Sequence, residues 1–220
     1  MLDKQKILSK VTLVSPGNSK EARLRLSGYK NFLRWQVFIV DLTGKEKMRM
    51  ALHIPMNRQA FYVLVNELEN LNDKEAGYSF TIEVYSPLWD NKTNQMTGEK
   101  ALSGTVTVGR RQTDDGIINY ILLTDAAREK KYAFKLSPTP FIKLYKNGKA
   151  MSDEDSSKVW TKAYVDTLKA VLDLFPEILD DEDTPLGDGG NTYTKAASKN
   201  KSNKETKKDD VDLDSFDDII

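Results

Sequence analysis

The strongest constraint on the fold is an alternation of apolar and polar residues between residues 6 and 54. A period of two places successive side chains on opposite faces of a β-strand. EARLRLSGY and FLRWQVFIV show this period, and KMRMALHI continues it, with Met48, Met50, Leu52 and Ile54 opposite Lys47, Arg49 and His53. SGYKN and DLTGK between these runs supply turn residues. The pattern predicts a three-stranded meander.

Two helices and five further strands are predicted after residue 54. PMNRQAFYVLVNELENL opens with Pro55, a residue favoured at the first helical position, and has a helical stripe of Phe61, Leu64, Val65, Leu68 and Leu71. Strand patterns cover residues 78–86, 102–111, 116–124, 131–137 and 141–147, with a TDDG turn at 113–116. A second helix is predicted over 153–175, capped by Ser152, with Trp160, Tyr164, Leu168, Val171 and Phe175 on one face.

The composition changes beyond about residue 180, where Gly, Ser, Asn and Lys replace apolar residues. Such a segment cannot bury enough apolar surface to offset the entropy lost on folding. We therefore expect a folded domain over residues 1–178, a flexible polar linker over 179–208 and an acidic tail over 209–220. The domain is expected to be mainly β with two helices, an α+β fold.

The zero net charge of the chain conceals a strong asymmetry. Residues 1–152 contain 24 Lys+Arg and 15 Asp+Glu, whereas residues 153–220 contain 9 and 18. A basic domain of this kind favours a polyanionic partner. The tail keeps apolar residues among six aspartates, which favours recognition by another protein rather than mere solubility; the candidate residues are Asp209, Asp210, Asp212, Asp214, Phe216, Asp217, Asp218, Ile219 and Ile220.

Residues suited to catalysis are few. The chain has no cysteine and a single histidine, His53, and neither GxGxxG nor GxxxxGK[ST] occurs. Asp114 and Asp115 are explained by the turn that they occupy. We expect no enzyme activity, metal site or cofactor, although the sequence leaves open a magnesium site built from distant carboxylates. No apolar run reaches the roughly 20 residues of a membrane span, and MLDKQKILSK lacks a secretory signal, so a cytoplasmic protein is expected.

The polar face of the predicted meander is the first candidate site. Binding of a single nucleic-acid strand without sequence preference needs cations for phosphates and exposed rings for bases. The face offers both, with Arg23, Arg25, Arg34, Lys47 and Arg49 beside Phe32 and Phe38, and with Tyr29 and Lys30 at the hairpin turn. The alternative is that a second layer covers the two phenylalanines and that the arginines are only solvated.

A second group of candidates lies further along the chain. Arg110 and Arg111 end one predicted strand, and Trp89 lies in what reads as a long polar loop, SPLWDNKTNQ. The Trp89 ring either stacks on a base or fixes its loop to the domain, and the sequence favours neither. Trp35 and Trp160 fall on apolar faces and are predicted to be core residues.

The meander, the following helix and strands, the basic aromatic face, the polar linker and DDVDLDSFDDII together resemble the single-stranded DNA-binding proteins of bacteria and tailed phages. The resemblance implies an OB-fold-like five-stranded Greek-key barrel, here with extra strands and a C-terminal helix in a phage-like, elaborated version. It also implies a role in DNA replication, recombination and repair in a bacterium or an infected host cell. Asp209 to Ile220 would recruit partners such as a polymerase or helicase and would compete with DNA for the basic groove.

Two other functions remain open at this point. In the first, the protein is an interaction protein whose tail imitates nucleic acid and occupies the basic groove of a polymerase, nuclease or DNA-binding protein. In the second, it is a metal-dependent nuclease. The extra strands and the 153–175 helix are also compatible with a homodimer.

Overall fold

The computed structural model describes residues 12–29, 32–90, 93, 95–114, 116–127, 129–139 and 141–173. Within these ranges the chain is mainly antiparallel β-sheet with two α-helices and one short 3-10 helix at Leu71–Asp73. The predicted α+β class is therefore confirmed. The linker and the tail lie outside the described residues. No helix within the described ranges is long and apolar enough to cross a membrane.

The first sheet contains four strands in sequential order: β1 (Leu13–Ser15), β2 (Lys20–Tyr29), β3 (Phe32–Asp41) and β4 (Arg49–Asn57). The predicted alternation is confirmed in β2 and β3, whose inward-facing residues are buried apolar side chains: Ala22, Leu24, Leu26, Leu33, Trp35, Val37 and Ile39. A short strand, β1, is added to the edge of the predicted meander, with Leu13 opposite Leu24. Alternation thus sets which face meets the core.

The first helix, α1 (Arg58–Asn70), starts three residues later than predicted. The Asn57 side chain accepts a hydrogen bond from the Ala60 backbone N–H at 2.8 Å and caps the helix. Pro55 instead lies in β4, opposite Arg34. A proline is compatible with β4 because this strand is at the edge of its sheet. The predicted apolar stripe of α1 and the following turn is buried throughout, from Phe61 to Leu71.

The second sheet is also a sequential antiparallel meander, made of β5 (Ser79–Asp90), β6 (Gln95–Thr113), β7 (Gly116–Asp125) and β8 (Lys130–Lys135). Thr113 pairs with Gly116, so the TDDG turn is where the sequence predicted it. The segment predicted as a long loop instead continues β5 and β6 as a two-stranded arm, in which Trp89 pairs with Met96. The side chains of 95–100 are all exposed along this arm.

The two sheets and both helices share one hydrophobic core. β1 lies next to β8, and β4 lies next to β5 and β6. Trp35 of β3 is fully buried and stacks on Phe61 of α1, with ring centroids 5.6 Å apart. Its prediction as a core residue is confirmed. Helix α1 therefore packs on the inner face of the first sheet.

The second helix, α2 (Asp153–Asp173), packs against α1 and β7. The Ser152 hydroxyl accepts a hydrogen bond from the Asp155 backbone N–H at 3.1 Å, as expected of its cap. Tyr164, Leu168 and Val171 are buried as predicted, whereas Trp160 is only half-buried and Phe175 lies outside the described residues. The buried face begins with small polar residues because Ser157 and Thr161 hydrogen-bond to buried Asn119 of β7.

The predicted strand at 141–147 is much shorter in the structure. Only Tyr145–Lys146 (β9) is extended, and it pairs with Lys149–Ala150 (β10) in a separate two-stranded hairpin. This hairpin connects the end of β8 with the start of α2. It projects from the core, because its strand residues are all exposed.

Candidate nucleic-acid interface

The polar side chains of β2, β3 and β4 meet in cross-strand rows on the side of the first sheet that faces away from the core. Directly paired residues on antiparallel strands point to the same side. The register gives three rows in which the side chains are described: Arg23, Phe38 and Met50; Arg25, Gln36 and His53; Ser27, Arg34 and Pro55. We call these nine residues the outer face of the first sheet.

Phe38 and Arg25 form the centre of the outer face. Phe38 is half-buried, not sealed inside the core, and the Arg25 guanidinium lies over its ring, 5.2 Å from the centroid. Such a contact holds a cation and an aromatic surface in fixed relation. A base stacking on Phe38 would have its phosphate within reach of a positive charge. This is the pairing of ring and cation that the sequence predicted for the face.

Arg23 occupies the next position along β2 and has a carboxylate partner. Its guanidinium forms an ion pair with Glu21 and is about one-third exposed. Glu21 shares the orientation of Arg23 and Arg25 and is the one carboxylate among the described residues on that side of β1 to β4. Three arginines, Arg23, Arg25 and Arg34, therefore share this side with one described carboxylate.

A β-bulge in β4 changes which residues join the outer face. Val37 pairs with Leu52 and Phe38 pairs with Met50, so Ala51 is the extra residue. Arg49 consequently pairs with Ile39 of the core side, and Lys47 lies before the strand begins. The expectation that Arg49 shares a face with Arg23 and Arg25 is wrong for this reason, and no strand pairing gives the face of Lys47. Alternation does not reveal an inserted residue.

Met50 is the residue that the bulge brings to the site. Its side chain is 48% exposed, and its sulfur accepts a hydrogen bond from the Gln36 side-chain amide at 3.5 Å. Met50 and Phe38 lie side by side in one row. They form an apolar strip next to the arginines, suited to the faces of bases. The sequence alone does not reveal that Met50 joins the outer face, because the position of the bulge cannot be read from it.

His53 lies in the same row as Arg25 and is partly buried. Burial lowers the pKa of the His53 imidazole below its usual value, and the positive charge of Arg34 lowers the pKa further. The carboxylate of Asp125 acts in the opposite direction. His53 is therefore neutral near pH 7 and offers a hydrogen-bonding group rather than a charge.

Three predicted residues lie at the end of β2 and β3. Tyr29 pairs with Phe32 through the backbone, and Phe32 pairs with Asn57. The side chains of Tyr29 and Phe32 and the whole of Lys30 lie outside the described residues. Trp89 has a described backbone position in β5, and its side chain is likewise outside the description. Trp89 is in a different sheet from the outer face.

Arg110 is a structural residue, contrary to expectation. It is only 4% exposed, donates a hydrogen bond to the Asn72 carbonyl at 3.1 Å and forms an ion pair with Glu154 at 2.7 Å. A hydrogen bond from Lys158 holds the pKa of Glu154 below its usual value, and the charge of Arg110 contributes in the same direction. Arg110 thus fixes α2 to β6 and cannot meet a phosphate.

Arg111 follows Arg110 in β6 and points to the opposite side of that strand. It pairs with Ile118 and is partly exposed. Burial raises the pKa of the neighbouring Tyr120, and the positive charge of Arg111 acts in the opposite direction. Arg111 therefore belongs to the second sheet and is not adjacent to Arg25 in any strand row.

The described candidate residues of the outer face are cations and apolar side chains on one sheet. No group of three or more His, Cys, Asp or Glu in the described ranges could hold a metal ion. The outer face brings together Arg23, Arg25, Arg34, Phe38 and Met50 on paired strands. The predicted tail residues, from Asp209 to Ile220, lie outside the described part of the chain.

Comparison with protein-family models, with curated proteins and with solved structures finds no match to this chain.

Proposed function

We propose that this protein binds single-stranded DNA, without strong sequence preference, on the outer face of the first sheet, and that it is not an enzyme. The observation that carries the proposal is the Arg25 guanidinium over the partly exposed Phe38 ring, in a row next to Arg23 and Met50. Arginines neutralise phosphates, and the ring and the thioether provide apolar surface for bases. The proposed roles are in replication, recombination and repair.

An OB-type barrel is part of the same proposal. Its support is that β1 lies next to β8 and that β4 lies next to β5 and β6, which are the two places where paired sheets would close into a barrel. The order of strands within each sheet is sequential. In such a barrel, the long β5–β6 arm and the second helix would be additions. OB folds bind single strands across a sheet face.

A titration with fluorescently labelled oligo(dT) tests the function. We expect the full-length protein to bind oligo(dT) more tightly than duplex DNA of the same length, with affinity falling steeply as salt rises because bound counterions are released. Arg25→Ala should lower the magnitude of the salt slope by about one. Arg111→Ala, in the second sheet, is the matched control and should leave the slope unchanged. An RNA strand of equal length shows whether a ribose hydroxyl is read.

Two results would refute this proposal. The first is equal affinity for duplex and single-stranded DNA. The second is a salt slope that responds to Arg111→Ala but not to Arg25→Ala, because the contact surface would then lie on the second sheet.

We propose that the tail has two roles, competition with DNA for the basic face and recruitment of replication or recombination proteins. Support comes from the sequence, in which residues 209–220 carry six aspartates and the domain carries the cationic surplus. Removing residues 209–220 should tighten DNA binding at low salt, since a competing polyanion is lost, and should abolish recruitment of partner proteins. A tail that keeps its six aspartates but has Phe216, Ile219 and Ile220 replaced by Ser separates the roles, because its charge is unchanged. Unchanged affinity together with unchanged recruitment would contradict both roles.

A further inference from the structure

The β9–β10 hairpin has a conformation that its turn residues determine. Asn147 and Gly148 connect the two strands, and both have positive φ, 51° and 76°. Asn-Gly is the preferred pair for a two-residue turn of this type, because glycine and asparagine tolerate the left-handed region. The flanking side chains are therefore presented on a defined hairpin rather than on an irregular loop.

Two aromatic rings beside this turn are exposed to solvent. Phe141 is 96% exposed, the highest value of any described large apolar residue, and Tyr145 is 63% exposed. Single exposed apolar residues are ordinary on protein surfaces. Two exposed rings only four residues apart, with Ile142 44% exposed between them, are less ordinary, and concentrations of exposed apolar surface mark binding sites.

The charges in the segment that carries the rings are of one sign, although Asp153 of α2 lines a cleft together with Ile142 and Lys143. Residues 130–152 contain six lysines and no aspartate or glutamate. Lys146 and Lys149 are directly paired across the hairpin. Like charges in this position are destabilising, so an anion bound between them would relieve a repulsion built into the fold. No described carboxylate forms an ion pair with Lys143, Lys146 or Lys149, although Asp155 lines the cleft of about 260 Å³ beneath Lys146 and Lys149.

We propose that residues 141–151 form a second contact site for the single strand, with bases on Phe141 and Tyr145 and phosphates on Lys143, Lys146 and Lys149. The inference rests on the proposed function and assigns to it a site outside the first sheet. The segment brings exposed rings and cations together within a few residues, with Tyr145 on one face of the hairpin and the Lys146–Lys149 pair on the other, and a bound single strand needs both kinds of group. An acidic peptide would use the lysines, whereas two exposed rings close in sequence are better matched by the successive bases of a strand.

The test compares the double variant Phe141→Ala/Tyr145→Ala with wild type in full-length protein. Oligo(dT) affinity is expected to fall by roughly thirtyfold or more, because each of the two lost stacks weakens binding by about fivefold at the least. Both rings are exposed, so the urea midpoint should hardly move. Tyr85→Ala/Met96→Ala, on the exposed β5–β6 arm, is the matched control and should bind like wild type. Ultraviolet cross-linking of oligo(dT), mapped by mass spectrometry, should label Phe141 or Tyr145.

A second measurement addresses the lysine pair. Lys146→Gln should reduce the magnitude of the salt slope by about one. It should not lower stability, because it removes a repulsion from Lys149. A residue with only a structural role would show the reverse pattern.

The outcomes separate this inference from the proposed function. Wild-type affinity in the double variant, with Phe38→Ala still weakening binding, would overturn the hairpin site alone. Absence of any oligo(dT) binding by wild type would overturn both. Cross-linking of Phe141 and Tyr145 to a synthetic DDVDLDSFDDII peptide, without cross-linking to oligo(dT), would overturn the hairpin as a nucleic-acid site and assign it to the chain's own tail.

Discussion

The outward sides of the two sheets differ in how their polar groups are satisfied. On the first sheet, the Arg25 guanidinium lies over a ring, and Arg23, Arg34 and Gln36 line the same side. On the second sheet, the hydroxyls of Thr81 and Thr107 hydrogen-bond to each other at 2.8 Å. Both sheets are antiparallel meanders with alternating strands. Cations lie beside apolar side chains on both, with Arg25 over Phe38 on the first sheet and Lys135 paired with Tyr120 on the second.

A tyrosine side chain of the second sheet covers part of that sheet's backbone. The Tyr120 ring lies against Gly109, where a Cβ atom would come within 2.4 Å of the tyrosine oxygen. The exposed Tyr85 donates a hydrogen bond to Glu83 at 2.6 Å, and that bond raises the pKa of the tyrosine hydroxyl. A carboxylate beside an exposed ring repels phosphate. We therefore expect a binding face to depend on the neighbours of each ring and cation, not on their number.

Arg110 offers the largest test of this contrast, because its charge serves the fold. Arg110→Ala should lower the free energy of unfolding by about 3 kcal/mol, since removing one partner of a buried pair leaves polar groups unsatisfied. Urea denaturation followed by circular dichroism measures the change. Arg111→Ala, one residue further on and partly exposed, should stay within about 0.5 kcal/mol of wild type.

DNA binding by Arg110→Ala completes that test. Under conditions in which the variant remains folded, its oligo(dT) affinity should equal that of wild type. Weaker binding by the folded variant would mean that Arg110 is part of the interface, and the distinction between the two sheets would fail.

Phe38 should show the opposite behaviour. Phe38→Ala is expected to weaken oligo(dT) binding by about 1 to 3 kcal/mol, the value of one stacked base. Tyr85→Ala removes an exposed ring from the second sheet and should leave affinity unchanged. Phe38→Trp, which keeps a planar surface, should restore binding, whereas Phe38→Leu should not. Equal losses in Phe38→Ala and Tyr85→Ala would show that the rings act without regard to their neighbours.

Period-two alternation predicted the first sheet well because burial of one face leaves little choice of orientation. Leu24, Trp35 and Val37 are in the core, and Arg25 and Phe38 are opposite them, as the pattern requires. The error at Arg49 arises from one extra residue, Ala51, whose insertion shifts the register of β4. A bulge depends on how two strands twist against each other, and no single strand records it.

Prediction from the sequence is less successful where partners distant in the sequence decide a residue's role. Arg110 and Arg111 are neighbours with the same side chain, yet Arg110 reaches Glu154, which is 44 residues away in the sequence, and Arg111 does not. The sequence predicts a loop around Trp89, whereas the backbone there is a strand, because polar residues on an exposed β-arm resemble those of a loop. Pro55 favoured a helix start, but strand pairing with β3 prevailed over the local preference.

His53 provides the smallest and most specific test of the outer face. Its pKa in the folded protein is lowered, chiefly by burial and then by Arg34, while Asp125 opposes the shift. The unfolded chain therefore binds a proton more readily than the folded protein does. The contribution of His53 to stability should be complete above about pH 6.5, the pKa of an unperturbed histidine, and should decline as the pH falls from there toward the folded-state pKa. His53→Gln should remove this part of the pH dependence in urea denaturation at pH 8, 6.5 and 5.5.

Bound DNA should alter the titration of His53 if the row of Arg25, Gln36 and His53 faces the strand. A phosphate nearby favours the imidazolium and raises its pKa, so oligo(dT) affinity should increase as the pH falls from 8 to 5.5. The increase should be smaller in His53→Gln, and the second sheet offers the control, because Tyr85→Ala should leave the pH profile unchanged. If wild type and His53→Gln gain affinity equally, the bound strand does not pass over this row, and the contact surface must be confined to the row of Arg23, Phe38 and Met50.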